Sequence, residues 1–245
     1  MTAPFPNGTL PQSLKGQRVL AAIVFTDAVS FSARMAADEE GTLRLIQRDL
    51  EQMARLCQEF EGQVLKTTGD GLMMYFTSAV QAVECAVEIQ RSLTRSATNL
   101  SSQEVLAHRI GIHLGDVFFS ETDVMGSGVN IAARLQTKAD PGAICISQTV
   151  FDVVKSQLEL KTTYLGPQEL KNIRDPIPVY QIMESSPIDY PVAPGRTKRA
   201  IEAELISPYK GLKKFEIEDK DRFFGRDQFV LSLVNELEQN HLILL

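Results

Sequence analysis

Apolar residues along this chain recur in two rhythms, and the switches between them mark out the elements. Residues 18–26, Arg-Val-Leu-Ala-Ala-Ile-Val-Phe-Thr, are mostly apolar and end at Asp27. Such a run reads as a buried strand that delivers a carboxylate at its C-terminal edge. From Asp38 to Phe60 the period lengthens. Leu43, Ile46, Leu50, Met53, Cys57 and Phe60 recur at three or four, which predicts an amphipathic helix stopped by Gly62. Gln63–Thr67 and Leu72–Phe76 flank Gly69-Asp70-Gly71, a hairpin with Asp70 in its turn. Ala79 to Arg95 returns to the helical period, with Val83, Ala86 and Val87 on its inner face.

After a polar stretch at 96–103, residues 109–114 predict another strand, and a further strand at 117–120 continues the sheet. Residues 128–138 are helical in pattern and closed by Asp140-Pro141-Gly142; 143–147 is a short strand and 148–156 a helix, and 160–165 with 179–183 complete the domain. The order β-α-β-β-α-β with trailing elements points to a ferredoxin-like α/β sandwich, an α+β arrangement. Four parts are expected: a flexible tail at 1–16, a domain at 17–184, a linker at 185–200 carrying Pro187, Pro191, Pro194 and Gly195, and a further unit at 201–245.

Composition narrows the function classes. The 245 residues are 44% hydrophobic and 23% charged, ordinary for a chain with one good core and residues to spare. A formal net charge of −6 leaves no electrostatic footprint for nucleic acid. An anionic substrate would therefore be held by local cations and metal ions. No apolar run reaches the ~20 residues that span a bilayer. Residues 1–16 carry a single basic side chain, Lys15, so no signal peptide is read there and a cytoplasmic location is expected. Cys57, Cys85 and Cys145 lie in apolar segments without a CxxC pattern, as small buried hydrophobes in a reducing compartment do. His108 and His113 flank a strand with no ligand partner nearby in sequence, which predicts packing or surface roles.

Asp27 and Asp70 each end a β-rich run and precede a tight turn, an arrangement able to share a pair of divalent cations. Hard oxygen ligands suit Mg²⁺, which takes one or two carboxylates and fills its shell with phosphate and water. Taken singly, each residue has a plainer reading: Asp27 a polar strand end, Asp70 a turn former, Lys66 a solvated strand residue, Asn130 with Arg134 a polar helix face. Gly126-Ser127-Gly128 begins like a dinucleotide fingerprint, but Ile131 replaces its third glycine and no suitable acidic residue follows, so a Rossmann site is rejected.

Taken together, Phe25-Thr26-Asp27-Ala28-Val29-Ser30-Phe31-Ser32, Lys66-Thr67-Thr68-Gly69-Asp70-Gly71 and the block from Asp123 to Arg134 resemble the class III nucleotide cyclase catalytic domain over about residues 18–183. The resemblance implies the same βαββαβ sandwich and an adenylate cyclase that converts ATP to 3′,5′-cyclic AMP and pyrophosphate. It assigns two Mg²⁺ or Mn²⁺ ions to Asp27 and Asp70, and phosphate contacts to the turn Ser30, Phe31 and Ser32. Lys66 and Asp123 match the base-reading positions, where guanylate cyclases of the family typically carry Glu and Cys. Asn130 matches the residue that orients the ribose, Arg134 the arginine that stabilises charge on the reacting phosphorus, and Lys171 or Arg174 a cation for the terminal phosphates. It further implies a homodimer with shared sites, Asp27 and Asp70 coming from one chain and Lys66, Asp123, Asn130 and Arg134 from the other. Two alternatives stay open: a cyclase for CTP, UTP or GTP, and a non-catalytic module that dimerises and senses nucleotide. Residues 206–226 resemble the entry to a STAND-type signalling ATPase, although no GxxxxGK[ST] occurs in the chain. The apolar run at 241–245 suggests a longer parent protein.

Overall fold

The structure, a computed structural model, describes residues 14–97, 100–101 and 104–183. The flexible tail expected at 1–16 falls mostly outside the described residues, and the linker and the unit at 201–245 wholly so. Thirteen elements follow one another: β1 (Arg18–Ala28), α1 (Phe31–Ala37), α2 (Glu39–Glu59), β2 (Gln63–Thr67), β3 (Leu72–Phe76), α3 (Ala79–Ala97), β4 (His108–Phe119), β5 (Val124–Met125), α4 (Ser127–Lys138), β6 (Ile144–Ser147), α5 (Gln148–Val154), β7 (Thr162–Gln168) and β8 (Ile177–Ile182). The sheet runs β2-β3-β1-β4-β6-β8-β7, with β5 paired to β4. Its first four strands, with α2 and α3, make the expected βαββαβ unit. Beyond them β6 joins β4 in parallel, and β8 and β7 add antiparallel.

β1 and β4 are the central pair, antiparallel and in unbroken register from Arg18↔Phe118 to Ala28↔His108. Two separate strands were expected at 109–114 and 117–120. Instead β4 is continuous, because Gly115 and Asp116 stay in the ladder opposite Ala21 and Leu20. Alternation along β1 and β3 divides the interior. Ala22, Val24, Met74 and Phe76 face α2, α3 and α5. Ala21, Ile23, Met73 and Tyr75 lie on the opposite side with Ala132 of α4. The α2 stripe is buried at Ile46, Leu50, Met53 and Cys57 as its period requires, while Leu43 remains nearly half exposed at 46%. Asp38 caps α2 by accepting from the Gly41 N–H at 2.9 Å. All three cysteines are free and buried.

Two glycines do work other than the one their sequence context suggests. The left-handed residue after α2 is Glu61, at φ 58°, not Gly62. Gly62 is needed because a Cβ there would lie 2.2 Å from the Phe76 ring. Gly111 lets α4 lie directly on β4, since a Cβ at this position would meet the Gln136 nitrogen at 2.2 Å and the Ala132 oxygen at 2.5 Å. Both neighbours are backbone atoms, so the helix must lift to make room. Gly111→Ala should therefore lower the unfolding free energy by about 2 kcal/mol. Gly166→Ala, at φ +78° with open space around the added methyl, should cost only about 1 kcal/mol. Denaturant titrations of the two variants check this order.

Candidate active site

β1 delivers Asp27 at its last turn of alternation, on the side of the sheet that α4 covers, one residue before the strand ends at Ala28. The β2–β3 turn is seated on that same strand end. The Leu72 N–H donates to Thr26 Oγ1 at 2.8 Å, and the Thr68 N–H closes the turn on the Gly71 carbonyl at 2.9 Å. A Cβ on Gly71 would come 1.8 Å from the Thr26 carbonyl oxygen, so no other residue fits this approach. Gly69, at φ +92°, supplies the left-handed step. The result places the Asp70 carboxyl near Asp27. Burial pushes the Asp70 pKa up, and the neighbouring Asp27 charge pushes it further; backbone N–H groups of Asp70 and Ala28 and the nearby His108 pull it back in part.

Arg109, directly opposite Asp27 in the ladder, donates through Nη2 to Asp27 Oδ2. Each side chain is 28% exposed. The Arg109 Nε is buried without a hydrogen-bond partner among the described residues. Sequence reading missed this pair. Its only trace is that Arg109 opens the β4 pattern, and a cross-strand partner appears only once register is known. On the other side of the sheet His108 is fully buried, with Nε2 3.0 Å from Asp49 Oδ2, and Arg48 donates to Asp49 at 2.9 Å. His113 is buried too, its Nδ1 2.9 Å from Ser147 Oγ, and burial pushes its pKa down to about 4. Both histidines pack, as their isolation in the sequence suggested.

Lys66 of β2 and Asp123, in the loop ahead of β5, meet although 57 residues separate them: Lys66 donates from Nζ to Asp123 Oδ1 at 2.7 Å. The Val124 N–H donates to the same oxygen at 2.8 Å, and the Asp123 N–H donates to Ser120 Oγ at 2.9 Å. The hydrogen bond from Lys66 is the main cause that holds the Asp123 pKa below its usual value. Asn130 and Arg134 stand one turn apart on α4, both exposed. Neither side chain has a hydrogen-bond partner among the described residues. Gly126 is the N-cap of this helix, and its φ of 139° together with the Asp116 carbonyl oxygen 3.0 Å from a built Cβ would strain any side chain there.

Ser30 sits at φ 59° as the N-cap of α1 without a side-chain cap. Phe31 is half-buried against the core, and Ser32 is exposed. The first helical bond, Arg34 N–H to the Ser30 carbonyl, leaves the N–H groups at 31–33 outside the ladder. Lys171 and Arg174 lie exposed in the β7–β8 connection. The structure thus brings together Asp27 with Asp70 and Lys66 with Asp123, and gives no contact that ties Lys171 to either pair.

Residues 16–184 match the adenylate and guanylate cyclase catalytic domain. The chain belongs to that family. Its class III cyclase domain is followed by a STAND-like module, matched at residues 208–245 as novel STAND NTPase 1. A putative adenylate cyclase 3 of Rhizobium meliloti (strain 1021) is 37% identical over 165 residues, which cover 67% of this chain and 28% of that protein. The adenylate cyclase of Glutamicibacter nicotianae is 25% identical over 155 residues, covering 62% and 36%. The chain thus spans well under half the length of these curated relatives. Among solved structures, the adenylate/guanylate cyclase/hydrolase from Silicibacter pomeroyi is 35% identical with a TM-score of 0.62, covering 69% of this chain and 99% of that one. The guanylyl cyclase Cya2, 22% identical with a TM-score of 0.61 over 72% of this chain and 98% of that one, shares the fold.

Likeness to metal-dependent cyclases suggests a divalent-ion mechanism, and the donor set can be tested against it. Among the described residues no group of three or more His, Cys, Asp or Glu could hold a metal ion. Two oxygen-donor side chains are what Mg²⁺ needs when phosphate and water supply the rest, and Asp27 and Asp70 fit that demand. The raised Asp70 pKa has a consequence for the cyclase domain without metal. A carboxyl whose folded pKa exceeds its unfolded value favours the fold at low pH, and that contribution is lost as pH rises through the folded pKa. Asp70→Asn should therefore melt higher than the parent at neutral pH in chelator, the gap closing as the buffer is acidified. Added Mn²⁺ should raise the melting temperature of the parent and leave the variant unmoved. Calorimetry in both conditions measures this.

Proposed function

We propose that the domain is an adenylate cyclase that converts ATP to 3′,5′-cyclic AMP and pyrophosphate in a homodimer with two shared sites. The observation that carries the choice of base is the Lys66–Asp123 pair. Adenine offers an acceptor at N1 beside an amino donor at N6, so a lysine donates to the first and an aspartate accepts from the second. Guanine reverses both, and unmatched buried polar groups reject a wrong substrate by ~10⁴-fold or more. The pair is about half exposed, 41% and 47% by side chain, so an incoming base can part it and take up both contacts. Cytosine presents a similar edge, and CTP is the competing substrate that the assay must include.

Asp27 and Asp70 would hold two Mg²⁺ or Mn²⁺ ions. Bound there, such ions lower the pKa of the ribose 3′-hydroxyl and neutralise phosphate charge. The chain's own residues do the rest. Backbone N–H groups at 31–33 face phosphate oxygens, with Ser30 and Ser32 flanking them. The 3′-hydroxyl gives its proton to solvent as its oxygen attacks the α-phosphorus in line, and the bond to pyrophosphate breaks. Asn130 holds the ribose in that attack geometry, and Arg134 meets the charge that builds on the phosphorus with a planar fork of donors. Lys171 would meet the terminal phosphates, a role it takes from the family resemblance alone. The outward exposure of Asn130 and Arg134 supports completion of the site by a second copy, whose Asp27 and Asp70 would face them. The non-catalytic reading is weakened because every matched position holds a chemically competent residue.

Product assays with ATP, GTP, CTP and UTP, in Mg²⁺ and then Mn²⁺, test the reading: cyclic AMP should predominate. Arg134→Ala should lower kcat by about 100-fold or more with little change in KM. Asp27→Ala should be inactive, and mixing it with Arg134→Ala should restore part of the activity by assembling one intact site per heterodimer. No recovery in confirmed heterodimers would place each site within one chain. Lys66→Glu with Asp123→Cys should erode the preference for ATP, and unchanged selectivity would remove the base-reading role.

A further inference from the structure

Three aromatic rings near the C-terminal end of the domain have no part in the chemistry proposed above. Phe151 of α5 stacks on Tyr180 of β8, with centroids 3.8 Å apart and planes 6° from parallel. Tyr164 of β7 continues the row at 4.9 Å, tilted by 42°. Tyr164 and Tyr180 are direct cross-strand partners, so the sheet itself sets their spacing. Tyr180 is held further by its hydroxyl, which donates to Gln148 Oε1 at 3.0 Å. Phe151 and Tyr180 are partly buried against the main core. Tyr164 is 54% exposed, on the outermost strand of the sheet among the described residues. Single exposed apolar residues are ordinary, but a contiguous row of rings fixed by three elements is a surface ready to receive something.

The same corner is where the chain leaves the domain. Tyr180 lies two residues before Ile182, the last residue of β8, about 7 Å away along the strand. The segment that follows, Ser185-Ser186-Pro187-Ile188-Asp189-Tyr190-Pro191, lies outside the described residues. Its sequence has two prolines four apart with an aromatic and a branched apolar residue between them. Proline-rich segments favour the polyproline II conformation, and aromatic-lined grooves take them up from it with little ordering cost. The four residues from Met183 to Pro187 reach at most ~14 Å, enough to return from the exit to Tyr164. Charge agrees as well. Asp189 is the one charged residue of the segment, and the exposed Lys161, one residue ahead of β7, offers it a counter-charge.

We propose that residues 187–191 dock on the Phe151–Tyr180–Tyr164 shelf as a strap, laying the two prolines and the Tyr190 ring against Tyr164 and Tyr180. A contact of this kind is weak between separate molecules. Here a tether of a few residues holds the segment at an effective concentration in the millimolar range, and a weak contact is enough. The docked strap fixes the point at which the chain departs from the cyclase domain.

The chain contains no tryptophan, so Tyr190→Trp in the full chain places a single indole on the strap. Its emission should be blue-shifted from that of free tryptophan, and acrylamide should quench it poorly. Adding Tyr164→Ala should raise the quenching constant about threefold by releasing the tethered contact. Pro187→Gly with Pro191→Gly, which removes the preset backbone, should do the same. An indole as accessible as the free amino acid, or shielding indifferent to Tyr164→Ala, overturns the proposal. Shielding that disappears on dilution also overturns it, since the segment would then lie on a second copy. Should Tyr164→Ala fail to fold by circular dichroism, the parent carries the test through nuclear Overhauser effects between the Pro187 or Pro191 ring protons and the Tyr164 ring; their absence counts against the strap.

Discussion

The arrangement depends on one close approach, that of the β2–β3 turn to the last residues of β1. Two carboxylates would not settle side by side in water, where each keeps its own hydration. Here the Gly71 backbone rests on the Thr26 carbonyl and the Thr26 hydroxyl accepts from Leu72, so the turn has nowhere else to go. The electrostatic cost of holding Asp70 near Asp27 is borne by the packing of β3 between β1 and β2, five consecutive buried residues from Leu72 to Phe76. A divalent ion held between the two carboxylates, the role proposed for them, would relieve that repulsion.

Much of the fold was legible because the periods were clean. The α2 stripe, the β2–β3 hairpin and the order of elements follow from which positions are apolar, and alternation on β1 already separates the two sides of the sheet. What escaped was nonlocal. Asp116 is exposed and Gly115 has no side chain, so nothing in the local pattern shows that both remain paired within β4. The need for Gly62 comes from Phe76, fourteen positions later, and the need for Gly111 from a helix that begins sixteen residues on. Periodicity carries no information about such approaches.

The candidate site divides in the same way. Residue types at the matched positions could be read from the chain, since a cyclase needs oxygen donors, a base reader and a guanidinium. The pairing of Lys66 with Asp123 followed from the resemblance, and its geometry required the structure. Arg109 and the buried Asp49–His108 pair had no motif to announce them, because each is defined by a partner on a different element. Lys171 remains attached to the site only by resemblance; its exposed loop position makes no contact that fixes it.

The three native thiols have a practical bearing. Cys57, Cys85 and Cys145 are all interior, and burial pushes each thiol's pKa up, to about 12 for Cys57 and Cys145. Thiolate is the reactive form, so the natural chain is nearly silent toward maleimides while folded. A cysteine introduced at an exposed position such as Ser32 or Thr137 would be the sole fast-reacting sulfur, and spin labels or fluorophores for testing the proposed dimerisation can be attached without first stripping the protein of its own.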